Sequence, residues 1–160
     1  MPGPEFTIRQ VGYDDPDAVK LIAELQQEYV VRYGGHDATP VAVEDFAPPR
    51  GLFVVGCLGD SAVACGGWRA HSSSEDFTDG DAEVKRMYVT PPARGLGLAR
   101  AVLAELERTA REHGRRRIVL ETGTEQPEAI GLYTSSGYTP VPHFGTYRDS
   151  PSSRYFGKVL

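Results

Sequence analysis

The sequence predicts an α+β (α/β) protein built on one central mixed sheet, with antiparallel N-terminal strands, a single parallel β-α-β crossover and helices on both faces. Three observations predict it. Residues 51–70 hold two apolar runs separated by Gly59-Asp60, the pattern of a hairpin and hence of antiparallel pairing. Residues 83–120 run strand, turn, amphipathic helix, strand, and such a unit makes a parallel pair joined by a right-handed crossover. The 160 residues suffice for one well-buried core, and no repeat, low-complexity tract or linker divides them.

The elements follow in order. Phe6 to Val11 alternates weakly and predicts a first strand. Asp15-Pro16 has the form of an N-cap with proline at the first helical position, and Ala18, Ile22, Leu25 and Tyr29 give a helical stripe to about Arg32. The run from Tyr33 to Pro40 breaks that helix, and residues 41–50 are a loop or short helix. Leu52–Leu58 and Ala62–Ala70 form the hairpin, and the Ser- and Asp-rich stretch from His71 to Asp81 is an exposed connection. Glu83 to Val89 is a further strand. Ala99, Val102, Leu103, Leu106 and Ala110 share one helical face, and Gly114 stops that helix. Ile118 to Leu120 is a buried strand, Gln126 to Ser135 a helix with Pro127 in its first turn, and Tyr138–Val141 and Ser153–Val159 are late strands.

The turn between Val89 and Ala99 carries most of the functional signal. Two prolines stiffen its entry, and glycines at 95 and 97 let the backbone approach a ligand closely. The amide groups of the following helix N-terminus, at the positive end of its dipole, make a cradle for a phosphate or pyrophosphate. A net charge of −5 disfavours a general nucleic-acid binder. Cys57 and Cys65 show no metal spacing and are expected as thiols rather than a disulfide. With no apolar run long enough to span a membrane and no signal peptide, the expected location is cytoplasmic, without a membrane partner.

Arg94-Gly95-Leu96-Gly97-Leu98-Ala99 fits R/Q-x-x-G-x-G/A, with Arg94, Gly97 and Ala99 at the defining positions. Together with the strand before it, the helix after it and the later run from Ala129 to Tyr138, it resembles the GNAT superfamily of N-acetyltransferases. The resemblance extends from about Phe6 to the C-terminus, so residues 6–160 are expected as a single N-acetyltransferase domain. It implies acetyl-CoA as co-substrate and no metal. Met87, Tyr88 and Val89 would line the pantetheine arm. Arg94, Gly95, Leu96, Gly97, Leu98, Ala99 and Arg100 would hold the pyrophosphate. Gln126 stands where many members carry a CoA-holding Asn, and Tyr138 replaces the commoner Phe.

Acetyl transfer to an amine requires loss of an amine proton, polarisation of the thioester carbonyl and stabilisation of the departing thiolate. The chain carries no motif for a cysteine nucleophile, so direct attack is expected. Tyr133, at the family's tyrosine position, would be the acid, or else a core tyrosine. Glu83 would be the base, or else a strand carboxylate paired with Lys85. Tyr29, Tyr33, Trp68, Arg69, Phe144 and Tyr147 lie on segments from which the family builds its acceptor sites. The expected acceptor is a primary amine of a small molecule. A protein lysine or N-terminal amine, and a non-catalytic acyl-CoA-binding module, are the alternatives. The family often dimerises through its late strands, so a homodimer is a further expectation. A nicotinamide-binding unit is disfavoured: Arg100 stands where that pattern needs a third glycine or alanine.

Overall fold

In the computed structural model, which describes residues 5–160, the chain runs β1 (Phe6–Val11), α1 (Pro16–Tyr33), β2 (Gly51–Leu58), β3 (Ser61–His71), β4 (Asp81–Val89), α2 (Leu98–Glu112), β5 (Arg117–Gly123), α3 (Pro127–Ser135), β6 (Thr139–Pro140) and β7 (Ser153–Val159). The seven strands form one sheet in the order β1-β2-β3-β4-β5-β7-β6. All neighbours are antiparallel except β4 and β5, which pair in parallel only from Asp81–Arg117 to Glu83–Val119. The expected mixed sheet with one parallel crossover is therefore present. The late strand expected over residues 138–141 shrinks to Thr139–Pro140 at the sheet edge. Pro140 has no N–H to continue a ladder there.

Local chemistry sets the helix limits. The Asp15 side chain accepts from the Asp17 N–H at 2.9 Å, Pro16 opens α1, and Gly34 closes it in the left-handed conformation (φ 81°) with its N–H on the Val30 carbonyl. The buried stripe of α1 is Ala18, Leu21 and Leu25, so Leu21 takes the place expected for Ile22, which is only half-buried. Each such leucine contributes about 1.5–3 kcal/mol by leaving water. In α2 the buried face is Leu98, Val102, Leu103, Leu106, Thr109 and Ala110. Part of the 41–50 segment forms a 3-10 turn, Val43–Phe46, whose buried Phe46 stacks on Tyr13 at 4.9 Å.

Strand alternation sends successive side chains to opposite faces of the sheet. Phe53, Val55, Cys65 and Tyr88 pack under α1. Leu52, Val54, Ala64, Trp68, Val84, Ile118 and Leu120 pack under α2 and α3. Trp68 is thus a core residue rather than an acceptor contact: it is fully buried and its indole N–H donates to Thr109 Oγ1 at 3.0 Å. Its neighbour Arg69 projects to the other face. Cys57 and Cys65 are both free thiols.

One close approach ties α1 to the far half of the sheet. The Tyr33 hydroxyl accepts from the Glu125 N–H at 3.1 Å and sits so near Gly123 that a Cβ there would lie 1.7 Å from it. Only glycine leaves room. Gly123→Ala is therefore expected to lower stability by about 1–3 kcal/mol through overpacking. Adding Tyr33→Ala should recover part of that loss, a non-additivity measurable by chemical denaturation of the four proteins.

Candidate active site

The site begins with an irregularity in β4. Cys65 pairs with Tyr88 and Gly67 with Lys85, so Arg86 and Met87 together oppose Gly66 and form a bulge. Arg86 adopts φ 62°, a left-handed conformation that costs a non-glycine residue about 1–2 kcal/mol. Its side chain is held firmly in return. The Arg86 guanidinium donates to the Tyr13 hydroxyl at 3.2 Å and pairs with Asp37, and its carbonyl accepts from the Cys65 thiol at 3.3 Å. Asp37 also takes Lys85 Nζ at 3.1 Å. Burial alone would raise the Asp37 pKa, but Lys85, Arg86 and bonds from Thr39 outweigh it and hold the carboxyl well below the usual range.

Past Glu83 the bulge carries β4 away from β5, and a cavity of about 420 Å³ occupies the gap. Met87, Tyr88 and Val89 line one wall; Glu121, Thr122, Gln126, Ala129 and Tyr133 line the other. Gly95, Gly97, Leu98, Ala99 and Arg100 lie at its mouth. Gly95 and Gly97 have φ of 81° and 79°, which explains glycine at both positions. The N–H groups of residues 95–100 donate to no backbone carbonyl, leaving the unpaired donors an anion requires. The residues present therefore fit a coenzyme A: a strand edge that no longer pairs with β5 for the pantetheine amides, then a helix N-terminus for the diphosphate.

Other groups expected on the cofactor side are placed with more nuance. Tyr88 turns its ring under α1, where its hydroxyl donates to Glu24 at 3.2 Å, leaving its backbone for the cleft. Arg94 donates to the Val89 carbonyl at 2.9 Å and pairs with Glu28 across the groove. Arg100 donates to the hydroxyls of Ser135 and Ser136. The Leu96 side chain stands in solvent, 63 % exposed, and does not line the cleft. Gln126 sits between α1 and α3, its Oε1 3.4 Å from the Tyr33 hydroxyl.

Two smaller cavities adjoin the cleft. One, of about 280 Å³, is lined by Tyr29, Tyr33, Asp37, Tyr147 and a group of serines. The other, of about 180 Å³, is lined by Arg69, Phe77, Glu83, Lys85, Phe144 and Tyr147. The Ala38 N–H donates to the Tyr147 hydroxyl at 2.6 Å, so a strap formed by residues 36–40 is tied across this region to the 141–152 connection. Tyr29, Tyr33, Arg69, Phe144 and Tyr147 all border these spaces.

Glu83 lies in the smaller side cavity, not in the cleft beside Tyr133. Its Oε1 is engaged by Arg69 Nε at 3.0 Å and His71 Nε2 at 2.9 Å, not by Lys85. Burial works against its charge, yet the His71 bond and the Lys85 and Arg69 charges prevail and lower its pKa. Glu121 is the opposite case. It borders all three cavities, and burial raises its pKa against the pull of Lys85 and a bond from Ser153, with Asp37 and Glu83 adding to the rise. Tyr133 lines the cleft and is buried; burial and then the Glu121 charge push its phenol above the ordinary value, so it holds its proton. The sequence did carry a signal for Glu121: a lone carboxylate directly after the apolar run Ile118–Leu120.

A mixed sheet splayed at a bulge, with an anion-binding helix N-terminus at the mouth and a tyrosine and a carboxylate inside, defines an acyl-CoA-dependent acyltransferase. Residues 19–138 match the acetyltransferase (GNAT) family, and the chain belongs to it. It is 32% identical over 157 residues to the IAA acetyltransferase of Azospirillum brasilense, covering 98% of this chain and 99% of that one. It is 28% identical over 136 residues to the uncharacterized N-acetyltransferase YjgM of Escherichia coli strain K12, covering 81% and 79%. Among solved structures, a Klebsiella pneumoniae protein described as an acyl-CoA N-acyltransferase superposes with a TM-score of 0.78 at 31% identity, covering 97% of each chain. The protein is thus an acetyl-CoA-dependent acyltransferase of this family, and no helix among its described residues is long and apolar enough to cross a membrane.

Asp37 offers a test of the bulge. Asp37→Asn leaves Lys85 and Arg86 buried without their counter-charge and should cost about 3 kcal/mol at neutral pH. The depressed pKa means that this contribution is complete above the unfolded carboxyl value and is lost as pH falls through the folded one. The gap between parent and variant, followed by thermal melts, should close in strong acid.

Proposed function

We propose that the protein transfers the acetyl group of acetyl-CoA to a primary amine of a small molecule by direct attack, with Glu121 as base and Tyr133 as donor to the leaving sulfur. The observation that carries this reading is the position of Glu121, at the junction of the cofactor cleft and both side cavities. The thioester supplies an activated acyl group and a thiolate leaving group. Everything else falls to the chain. The strand residues Met87 to Val89 and the amides of residues 95–100 bind and orient the donor. A half-buried carboxylate with a raised pKa takes a proton from an ammonium more readily than an ordinary surface carboxylate. A phenol that keeps its proton donates a hydrogen bond to sulfur as negative charge develops there.

Glu83 fits the base role less well, because both a guanidinium and an imidazole already occupy one oxygen. Its role here is to hold Arg69 and His71 along the smaller cavity. The strap and its bond to Tyr147 favour a small acceptor over a polypeptide, which needs an open groove. The relative named IAA acetyltransferase makes IAA a compound to test beside the amines. We take residues 6–160 as one catalytic domain working in the cytoplasm.

The decisive experiment is an amine panel assayed for acetyl-CoA consumption, with products confirmed by mass. Calorimetry should show CoA binding that survives Tyr133→Phe, while turnover of that variant falls about 10²-fold. Because Glu121 must be ionised to act, kcat/KM should decline as pH falls through a value above that of an ordinary glutamate. Glu121→Gln should abolish that limb and lower the plateau by about 10²–10⁴-fold. Glu83→Gln should keep the limb. The reverse outcome would return the base role to Glu83. Acetylation of peptide amines alone would move the acceptor to proteins, and CoA binding without turnover of any amine would make the chain a binding module.

A further inference from the structure

On the β7 side of Glu121 lies a group of hydroxyls that the reaction above does not use. In the β5–β7 ladder Glu121 pairs with Tyr155 and Gly123 with Ser153, so Ser153 and Glu121 are diagonal neighbours on one sheet face. Ser153 is 4 % exposed, and its Oγ donates to Glu121 Oε1 at 3.0 Å. The Tyr155 hydroxyl, equally buried, makes no hydrogen bond. Among the described residues, Ser153 is therefore the one hydroxyl bonded to the carboxylate that borders all three cavities.

We infer that Ser153 is the positioning residue of the catalytic carboxylate: its hydroxyl fixes one Glu121 oxygen against the sheet and leaves the other for the acceptor ammonium. The inference rests on the reading of Glu121 as base. A carboxylate with several rotatable bonds, deep in a site about to receive a cation, gains from one oxygen being anchored before the amine arrives. The anchor is neutral, so it orients the carboxylate without forming the ion pair that quiets Glu83. A donor to the charged form also favours ionisation and so keeps part of the Glu121 population ready as base.

Other groups around Glu121 set the background. From β4 come Lys85 and Glu83, and from the strap Asp37. Tyr29 and Tyr33 face it from α1 and Tyr133 from α3. Tyr147 and Tyr155 face it from the C-terminal segment. Lys85 is already paired with Asp37. The tyrosines keep their protons across the neutral range, so the pH profile between about 5 and 8 reports on Glu121 rather than on them.

The test is the pH profile of kcat/KM for Ser153→Ala, Ser153→Thr and Tyr155→Phe, read beside Glu121→Gln, with an amine from the panel as acceptor. Ser153→Ala should move the acidic limb upward by about one pH unit, giving about a ten-fold loss at pH values below the limb. Ser153→Thr, which restores a hydroxyl on a strand, should return the limb to its parent position. Tyr155→Phe should leave the limb in place, and CoA affinity by calorimetry should be the same in all three. An unmoved limb in Ser153→Ala, or an equal shift in Tyr155→Phe, overturns the inference. Should Glu121→Gln itself keep the limb, the base assignment fails first, which separates the two failures.

Discussion

Everything distinctive about this molecule depends on one residue held in an unfavourable backbone conformation. Arg86 sits at φ 62° in the middle of β4, and the bulge it creates ends the β4–β5 pairing after Glu83. Were the strand regular, the parallel ladder would continue and close the gap in which the cofactor cleft lies. The local cost of about 1–2 kcal/mol is offset by the contacts that fix Arg86, above all the largely covered Asp37 it shares with Lys85. The same aspartate anchors the strap over the side cavities, so the shape of the sheet and the roof of the site are set by a single carboxylate.

The two glutamates of the inner sheet show how environment divides labour between identical side chains. Glu83 is buried and Glu121 half-buried, and both lie on the α1 side of adjacent strands. A cross-strand arginine and a histidine pin the first in its ionised form, where it can only hold its neighbours. Burial dominates the second, which is left with a neutral hydroxyl as its partner. Pairs of carboxylates pushed in opposite directions are how folds assign acid, base and structural tasks without changing residue type. The chemistry of the site thus follows from which strand neighbour each carboxylate meets.

Much of this was legible in the chain. The α2 periodicity, the Gly59-Asp60 hairpin and the glycines at 95 and 97 each encode their conformation locally, and the structure has all three. The resemblance carried by Arg94 to Ala99 led to the right family. What stayed hidden depends on long-range pairing. Nothing near Asp37 in sequence announces that it will neutralise residues 85 and 86, nearly fifty positions on. Insertion of β7 between β5 and β6 is what brings Ser153 to Glu121, and no local pattern predicts it. The Trp68 error was avoidable: side chains alternate along a strand, so Trp68 and Arg69 were never able to share one pocket.

Most of the cleft, with its glycine turn, comes from one unbroken stretch, β4 through α3, to which α1 adds Leu25, Glu28 and Tyr29. The side cavities are walled largely by the end of α1, the strap and the 141–152 connection, which lie outside that stretch. Drift in those loops can retune which nucleophile is admitted while the donor machinery is inherited intact. A lineage built this way diversifies by exchanging its periphery, and two near-identical donor grooves can serve unrelated metabolic ends.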